Sequence, residues 1–361
     1  MLLFSLIPKA RKSDLFGREK ELEELNKLIN IYPIVVVTGV RRVGKSSLIK
    51  VFLNEKRIPH LIVDGRKLYE SSHGHISSTH LCKVLSDELS KFSKSQAILN
   101  LLKRIRGISV SGTSLEINPK ELSLTDLIER FNTIVEHQKK PFVFFFDEAQ
   151  YFKYYGSRGG NDLLALFSYS HDQLENVRIL ITGSEIGTLH DFLKIENYKS
   201  PLYGRGVGFL NLEPFSLEQS VKFLKKGFEE LNRKVNFDLE ETARKMNGIP
   251  GYLVLFGIKY LETEDERVAF EEVFHTASLL FEQELIELGK RSPRYIFLLK
   301  QIAKGINTWS YLKSSFHAKG DRIGDSRLYS LLKTLERMSF VKKENGVYKI
   351  VDPILERILR D

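Results

Sequence analysis

The sequence predicts an α/β fold: a parallel sheet between two helical layers, then a helical bundle, then a small unit of three helices and a hairpin. Three observations carry this. Ile34–Thr38, reading IVVVT, is a β-branched run that passes through a Gly-bounded basic loop into an apolar-periodic helix, Lys45 to Leu53. Phe142–Phe146 is a continuous apolar run, as a strand buried on both faces requires, and it ends in two carboxylates, Asp147 and Glu148. From about residue 213 the periodicity is helical until Asn345–Gly346 signals a hairpin turn.

The chain has 361 residues, 42% of them hydrophobic and 28% charged, enough apolar material for one large core or two to three smaller ones. No apolar run approaches the roughly 20 residues of a membrane-spanning helix, so no membrane partner is expected. The opening MLLFSLIPKARKSDLF lacks a basic leader and a small-residue cleavage site, and reads as a segment packed on the body, not a signal peptide. The single cysteine, Cys82, leaves no intramolecular disulfide or cysteine-based metal site, and the nine histidines include no H-E-x-x-H pair. A cytoplasmic protein is the simplest reading. The net charge of +9 is uneven: residues 291–361 hold 15 Lys/Arg against 7 Asp/Glu, and the rest 40 against 39. A basic terminal unit on a neutral body suggests an anionic partner for that unit.

Gly39–Ser46, GVRRVGKS, matches G-x-x-x-x-G-K-[ST] between a strand and a helix. Such a loop turns successive backbone N–H groups, here Gly39, Val40, Arg41, Arg42, Val43 and Gly44, onto a polyphosphate at the positive end of a helix. Gly39 and Gly44 permit the tight path. Lys45 is expected to reach the β- and γ-phosphates, and Ser46, followed by Ser47, to offer a hydroxyl to Mg²⁺. Arg41 and Arg42 are expected to point outward. The fold is therefore that of a P-loop NTPase, a three-layer parallel sheet. Asp147 is expected to hold Mg²⁺ through its water shell, and Glu148 to polarise an attacking water as general base. A third strand, Ile179–Ile181, ends in Thr182, Gly183 and Ser184. Thr182 and Ser184 both fit a contact to the γ-phosphate or the attacking water, and both fit a simple strand-to-helix cap. Residues 60–64 are another parallel strand.

Lys45 and Asp147 stand about 100 residues apart, more than one strand and helix need. The excess lies at 70–135, where two helical patterns flank an alternating stretch, 105–119, that reads as a hairpin around Ser111–Gly112. It is either surface decoration or a contact to DNA or a neighbouring subunit. YFKYYGSRGGNDLLALF, after the carboxylates, reads as a loop over the active edge whose aromatics pack inward.

The last 70 residues read as helices in RYIFLLKQIAKG, TWSYLKSSF and DSRLYSLLKTLERMSF, the third opened by an Asp/Ser cap, and a two-stranded wing in VKKENGVYKIVDP. This is a winged helix. Its third helix would present Arg327, Tyr329, Ser330, Lys333 and Arg337 to a major groove, and Lys342, Lys343 and Lys349 would meet phosphates from the wing. A protein contact, or packing on the preceding helices, is the other use of such a unit. No nuclease-like constellation is visible beyond the wing.

LFGREKELEEL (15–25), GVRRVGKSS, FFDEAQ, ITGSEIG, SPLYGRG (200–206) and NGIPGYL (247–253) follow in this order. Together they resemble the predominantly archaeal ATPase family, a branch of the AAA+/STAND P-loop ATPases, and the resemblance covers essentially the whole chain. It implies that Phe16, Gly17 and Arg18 line the adenine site of ATP. It implies that Pro250 closes over the nucleotide from a helical lid, where many AAA+ relatives carry a sensor arginine. It also places Arg205 where an arginine finger could be supplied, in trans or within the chain; a structural arginine in a Gly-braced loop fits equally. The expected organisation is an AAA+ type ATPase domain at 1–212, a lid at 213–290 and a winged helix at 291–361. Two functions stand: an ATP-hydrolysing protein that acts on DNA, or a slow switch that assembles with itself or another protein.

Overall fold

The computed structural model describes residues 2–91, 102–103, 105–111, 114–136 and 140–360. Five parallel strands make the central sheet: β1 (Ile34–Thr38), β2 (His60–Asp64), β5 (Phe142–Asp147), β6 (Val177–Thr182) and β7 (Val207–Asn211), in the order β2-β5-β6-β1-β7. The carboxylate-bearing β5 sits two strands from β1, with β6 between them, so the phosphate loop and both downstream motifs emerge at one edge.

The alternation of each strand feeds two cores. Phe142, Phe144 and Phe146 face one side with Ile34, Val36, Ile179 and Ile181. Val143 and Phe145 face the other, with Val35, Val37 and Leu180. Helices α1 (Glu19–Ile31) and α2 (Lys45–Glu55) cover the second face through Leu25, Ile29, Leu48 and Phe52. The first face is covered by α3 (Gly65–Ser71), α4 (Ser78–Ser90), α5 (Leu124–Ile134) and α6 (Asn161–Gln173). The expected three-layer parallel architecture is present.

The expected hairpin forms from β3 (Ile108–Ser111) and β4 (Ser114–Ile117), antiparallel; its tip, including Gly112, lies outside the described residues. It is tied to the body. The Ile117 N–H donates to Ser86 Oγ and the Leu115 N–H to Ser90 Oγ, both at 2.9 Å, and Ile108, Leu115 and Ile117 join the first core. The aromatics after Glu148 pack as expected: Phe152 is buried, and Tyr69 packs against Tyr151 and Tyr154.

After α7 (Ile186–Leu193), a helical bundle follows, the segment expected as the lid and so named: α8 (Leu217–Glu229), α9 (Leu239–Lys245), α10 (Pro250–Thr263) and the 26-residue α11 (Glu266–Arg291). Its core holds Phe223, Phe228, Met246, Leu253, Phe256 and Val273. Leu3 and Phe4 belong to this core too. Gly227 and Gly257 leave the space that Phe4 fills, since a Cβ on either would overlap its ring.

The C-terminal unit contains α12 (Pro293–Ala303), α13 (Trp309–Ala318), α14 (Asp325–Arg337), the wing β8 (Val341–Glu344) and β9 (Val347–Ile350), and a further helix α15 (Pro353–Arg360). Asn345 and Gly346 form the wing turn with φ of 50° and 82°. Asp325 is not a cap as expected: Gly324 holds that position without a side-chain bond, and Asp325 pairs instead with Lys313 at 2.8 Å. The sequence reading also did not foresee α15, which buries Ile354, Leu355 and Leu359. Helix α11 spans two cores, with Val273 in the lid and Leu288 among Leu298, Leu328 and Leu332. Among the described residues no helix is long and apolar enough to cross a membrane.

Candidate active site

The loop after β1 turns with Gly39 at φ 142° and Gly44 at φ 102°. At Gly39 a Cβ would lie 2.5 Å from the Leu212 carbonyl oxygen, so glycine is needed there for space as well as for its backbone angle. Lys45 opens α2 and is 5% exposed. Its ammonium donates to the Gly39 and Val40 carbonyls at 2.9 and 3.1 Å. Burial pulls its pKa below the ordinary lysine value, against the pull of Glu148 and Asp147.

Ser46 Oγ donates to Asp147 Oδ2 at 2.9 Å across the loop-to-strand gap. Asp147 Oδ1 accepts from Thr182 Oγ1. Burial, reinforced by the charges of Glu148 and Asp64, raises the Asp147 pKa against these two hydrogen bonds. Glu148 has a left-handed backbone, φ 50°, a conformation costing about 1–3 kcal/mol in a non-glycine residue. Its Oε2 accepts from Ser184 Oγ at 2.7 Å and Gln150 Nε2 at 2.6 Å. Burial pushes the Glu148 pKa up, but Lys45 and these hydrogen bonds outweigh it and hold the group below the usual range.

Both open candidates on the third strand are thus engaged, Thr182 with Asp147 and Ser184 with Glu148. Gln150 was not foreseen. Its only signal was its place two residues beyond Glu148, on the short 3₁₀ turn Ala149–Tyr154.

A cavity of about 500 Å³ lies between this edge and the lid. Arg42, Val43, Gly44, Lys45, Ser46, Ser47 and Glu148 form its floor. Phe16, Arg18, Phe215 and Phe223 form one wall, and Pro250, Val254 and Leu255 another. Phe16 and Pro250 both line this cavity. Arg18 lines the cavity, but its guanidinium is committed to the Glu213 and Val43 carbonyls at 2.8 and 3.3 Å and covers the Phe215 ring. Gly17, Gly39, Val40 and Arg41 lie outside the lining. Ser47 Oγ accepts the Lys9 N–H at 3.1 Å, part of an N-terminal strap, Ser5–Lys9, that borders the cavity and was not expected there.

Arg41 and Arg42 do not simply point outward. Arg41 pairs with Glu185 at 2.9 Å and with Glu284 of α11. Arg42, at φ 63°, accepts the Gly251 N–H on its carbonyl at 3.0 Å and lays its guanidinium 5.2 Å from the Tyr252 ring centroid. Tyr252 Oη donates to the buried Asp352 at 2.8 Å, and Asp352 accepts the Ile354 and Leu355 N–H groups that begin α15. Phosphate loop, lid and winged helix are joined by this chain.

Arg205 is not brought to the site. It clasps Asp172 and reaches the Pro201 carbonyl just before β7, at the N-terminal edge of the sheet. Since Ile34 pairs with Val207 and Thr38 with Asn211, the five-residue length of β7, roughly 15 Å, separates it from the phosphate loop.

On α14, Arg327, Tyr329, Ser330, Lys333 and Arg337 are all exposed. Arg337 pairs with Asp191 of α7 at 3.4 Å. In the wing, Lys342 and Lys349 share Glu344 at 2.8 and 2.9 Å, and Lys343 lies 5.2 Å from the Tyr348 ring centroid.

A phosphate loop bearing a buried lysine, a carboxylate pair on the neighbouring edge, and a helical bundle joined to a winged helix define a P-loop ATPase architecture. A family model described as an ATPase domain predominantly from Archaea matches residues 15–256, and a model of the MCM protein C-terminal winged helix-turn-helix domain matches residues 289–351. The chain belongs to this archaeal ATPase family. It is similar in structure to a Walker-type ATPase of Pyrococcus abyssi, with 43% identity, full coverage of both chains and a TM-score of 0.89. It shares its fold with the ORC2 protein of Aeropyrum pernix, solved as ADPNP-ADP complexes, at 13% identity and a TM-score of 0.61 over 99% of this chain and 96% of that one. An uncharacterized curated protein of Methanocaldococcus jannaschii is 25% identical over 342 residues, 92% of this chain; the chain spans 63% of that relative's length.

Proposed function

We propose that the protein binds ATP with Mg²⁺, hydrolyses it, and couples the nucleotide state to DNA binding by the winged helix. One observation carries this reading. A buried lysine hydrogen-bonded to two loop carbonyls faces a cavity beside a carboxylate, Glu148, that is clamped in a left-handed conformation. Strain of this kind persists where the surroundings over-determine it, as active sites do.

Lys45 exchanges its carbonyl partners for β- and γ-phosphate oxygens, a stronger charge-assisted contact. The hydroxyl of Ser46 and the carboxylate of Asp147, 2.9 Å apart, are hard oxygen donors of the kind Mg²⁺ takes. Mg²⁺ held there would neutralise charge between the phosphates. Glu148 orients the attacking water and accepts its proton, with Ser184 and Gln150 setting the carboxylate plane. Phe16 and Phe215 offer an apolar wall for the base. That a fold relative was solved as ADPNP-ADP complexes supports nucleotide binding. Arg42, Tyr252 and Asp352 carry the change in the phosphate loop to α15, and the exposed face of α14 meets the DNA.

The test is ATP turnover by wild type and Glu148→Gln, with and without duplex DNA at two salt concentrations. The expected outcome is turnover stimulated by DNA and reduced about 10²–10⁴-fold in the variant, with ATP affinity retained. Turnover indifferent to DNA would instead favour a switch that assembles with a protein.

A further inference from the structure

We propose that the cleft between the ATPase body and the winged helix holds a backbone phosphate of the DNA that α14 reads. This rests on the DNA-binding reading above and assigns part of that binding to the ATPase body.

The cleft measures about 460 Å³. On the body side it is lined by Lys153, Asp191 and Lys194, and on the winged-helix side by Arg291 and Arg337. Four cations therefore face one carboxylate, and Asp191 is already paired with Arg337 at 3.4 Å. Among the described residues the other three have no carboxylate within ion-pair distance. Lys153 lies 4.9 Å from the Tyr154 ring centroid, Lys194 donates to Asn161 Oδ1 at 3.3 Å, and Arg291 reaches Met338 Sδ at 3.8 Å. Like charges gathered in a partly enclosed space repel one another, and an anion entering it relieves them. Burial holds the Lys153 pKa down, with Arg291 adding to it against the pull of Glu185 and Asp191.

The two walls are held together at their base. Gly187 of α7 packs so closely on Arg337 that a Cβ there would overlap Arg337 backbone atoms. The cleft is thus bounded by elements that touch in the packed molecule.

The position selects the anion. Arg337 and Thr334 in the cleft wall stand about one turn from Lys333 and Ser330 on the exposed face of α14. A duplex laid on that face brings its backbone toward the cleft, and bodies flanking a recognition helix commonly hold the backbone. The space exceeds one phosphate and suits a short phosphodiester segment.

Binding of a 20-base-pair duplex would be followed by fluorescence anisotropy between 50 and 200 mM salt. The proteins are the full chain, Lys153→Ala/Lys194→Ala, the single Lys194→Ala, and a charge-matched control, Lys20→Ala/Lys27→Ala on α1. The slope of log Kobs against log salt should flatten by about 0.9 per lost phosphate contact, so by up to about 2 in the double variant and about 1 in Lys194→Ala. ATP affinity should not change. A slope equal to wild type in both cleft variants, or an equal loss in the control, would overturn the proposal while leaving DNA binding by α14 intact. Absence of duplex binding by wild type would overturn it together with the reading beneath it. Protection of Lys153 from acylation by tripolyphosphate but not by duplex would also overturn it, assigning the cleft to a free polyphosphate.

Discussion

The phosphate loop and the winged helix both gather positive charge, and they hold it in opposite ways. In the loop Lys45 is buried and bound to carbonyls, and Arg41 and Arg42 are tied to α11 and α10. In the winged helix Arg327 and Lys333 stand exposed, and Lys342 and Lys349 lean on a shared Glu344. Buried charge is positioned by many partners and loses much when one is removed; exposed charge is positioned by its own helix or strand and loses little.

The largest effect should come from the buried side. Lys45→Ala should lower ATP turnover by about 10³-fold, the scale of losing one preorganised donor to transferring phosphate, as read in a steady-state phosphate-release assay. A loss below tenfold would break the contrast. Next comes the joint between the two regions. Asp352→Ala removes the cap of α15 and leaves Tyr252 Oη buried without its acceptor, so thermal unfolding should report a loss of about 2–4 kcal/mol. Tyr252→Phe should cost less and uncouple DNA stimulation from turnover.

On the exposed side, Arg327→Ala should flatten the salt dependence of duplex binding by about 0.9, whereas Lys333→Ala and Lys342→Ala should change it less, because Glu336 and Glu344 already neutralise those charges. The smallest effect belongs to Arg205→Ala. The Arg205 guanidinium holds the Asp172 pKa at about 2, below its ordinary value. Stability from a depressed carboxylate is fully present above the ordinary carboxylate pKa and is lost as pH falls through about 2. The variant should lose this acid-side dependence and, the pair being exposed, less than about 1 kcal/mol at neutral pH, measured by denaturant midpoint. Turnover should stay within twofold; a larger loss that grows with protein concentration would point to a finger acting on a neighbouring copy.

The contrast also explains what the sequence disclosed. Gly39, Gly44, Lys45 and Ser46 were legible because phosphate geometry dictates their spacing, and Phe142–Phe146 because a doubly covered strand has no polar face. The sheet and the winged helix were legible from the same periodicities. Partners distant in sequence were not. Nothing near Tyr252 announces Asp352, one hundred positions on. Phe4 is matched to Gly227 and Gly257 only once three separate segments converge. Arg41 reads as a solvated loop residue until α11 brings Glu284 beside it. Arg205 was placed by resemblance alone, and the topology sets it beside Asp172, away from its own chain's phosphate loop.

The 26 residues of α11 form a rod of about 39 Å. One end is embedded in the lid and the other in the winged helix, with Arg41 touching it through Glu284. A rotation of about 10° at the lid end would carry the far end through about 7 Å, roughly two base-pair steps of 3.4 Å along a duplex. On the proposed coupling, a small adjustment around a phosphate group would be geared by this one helix up to the scale of base-pair steps.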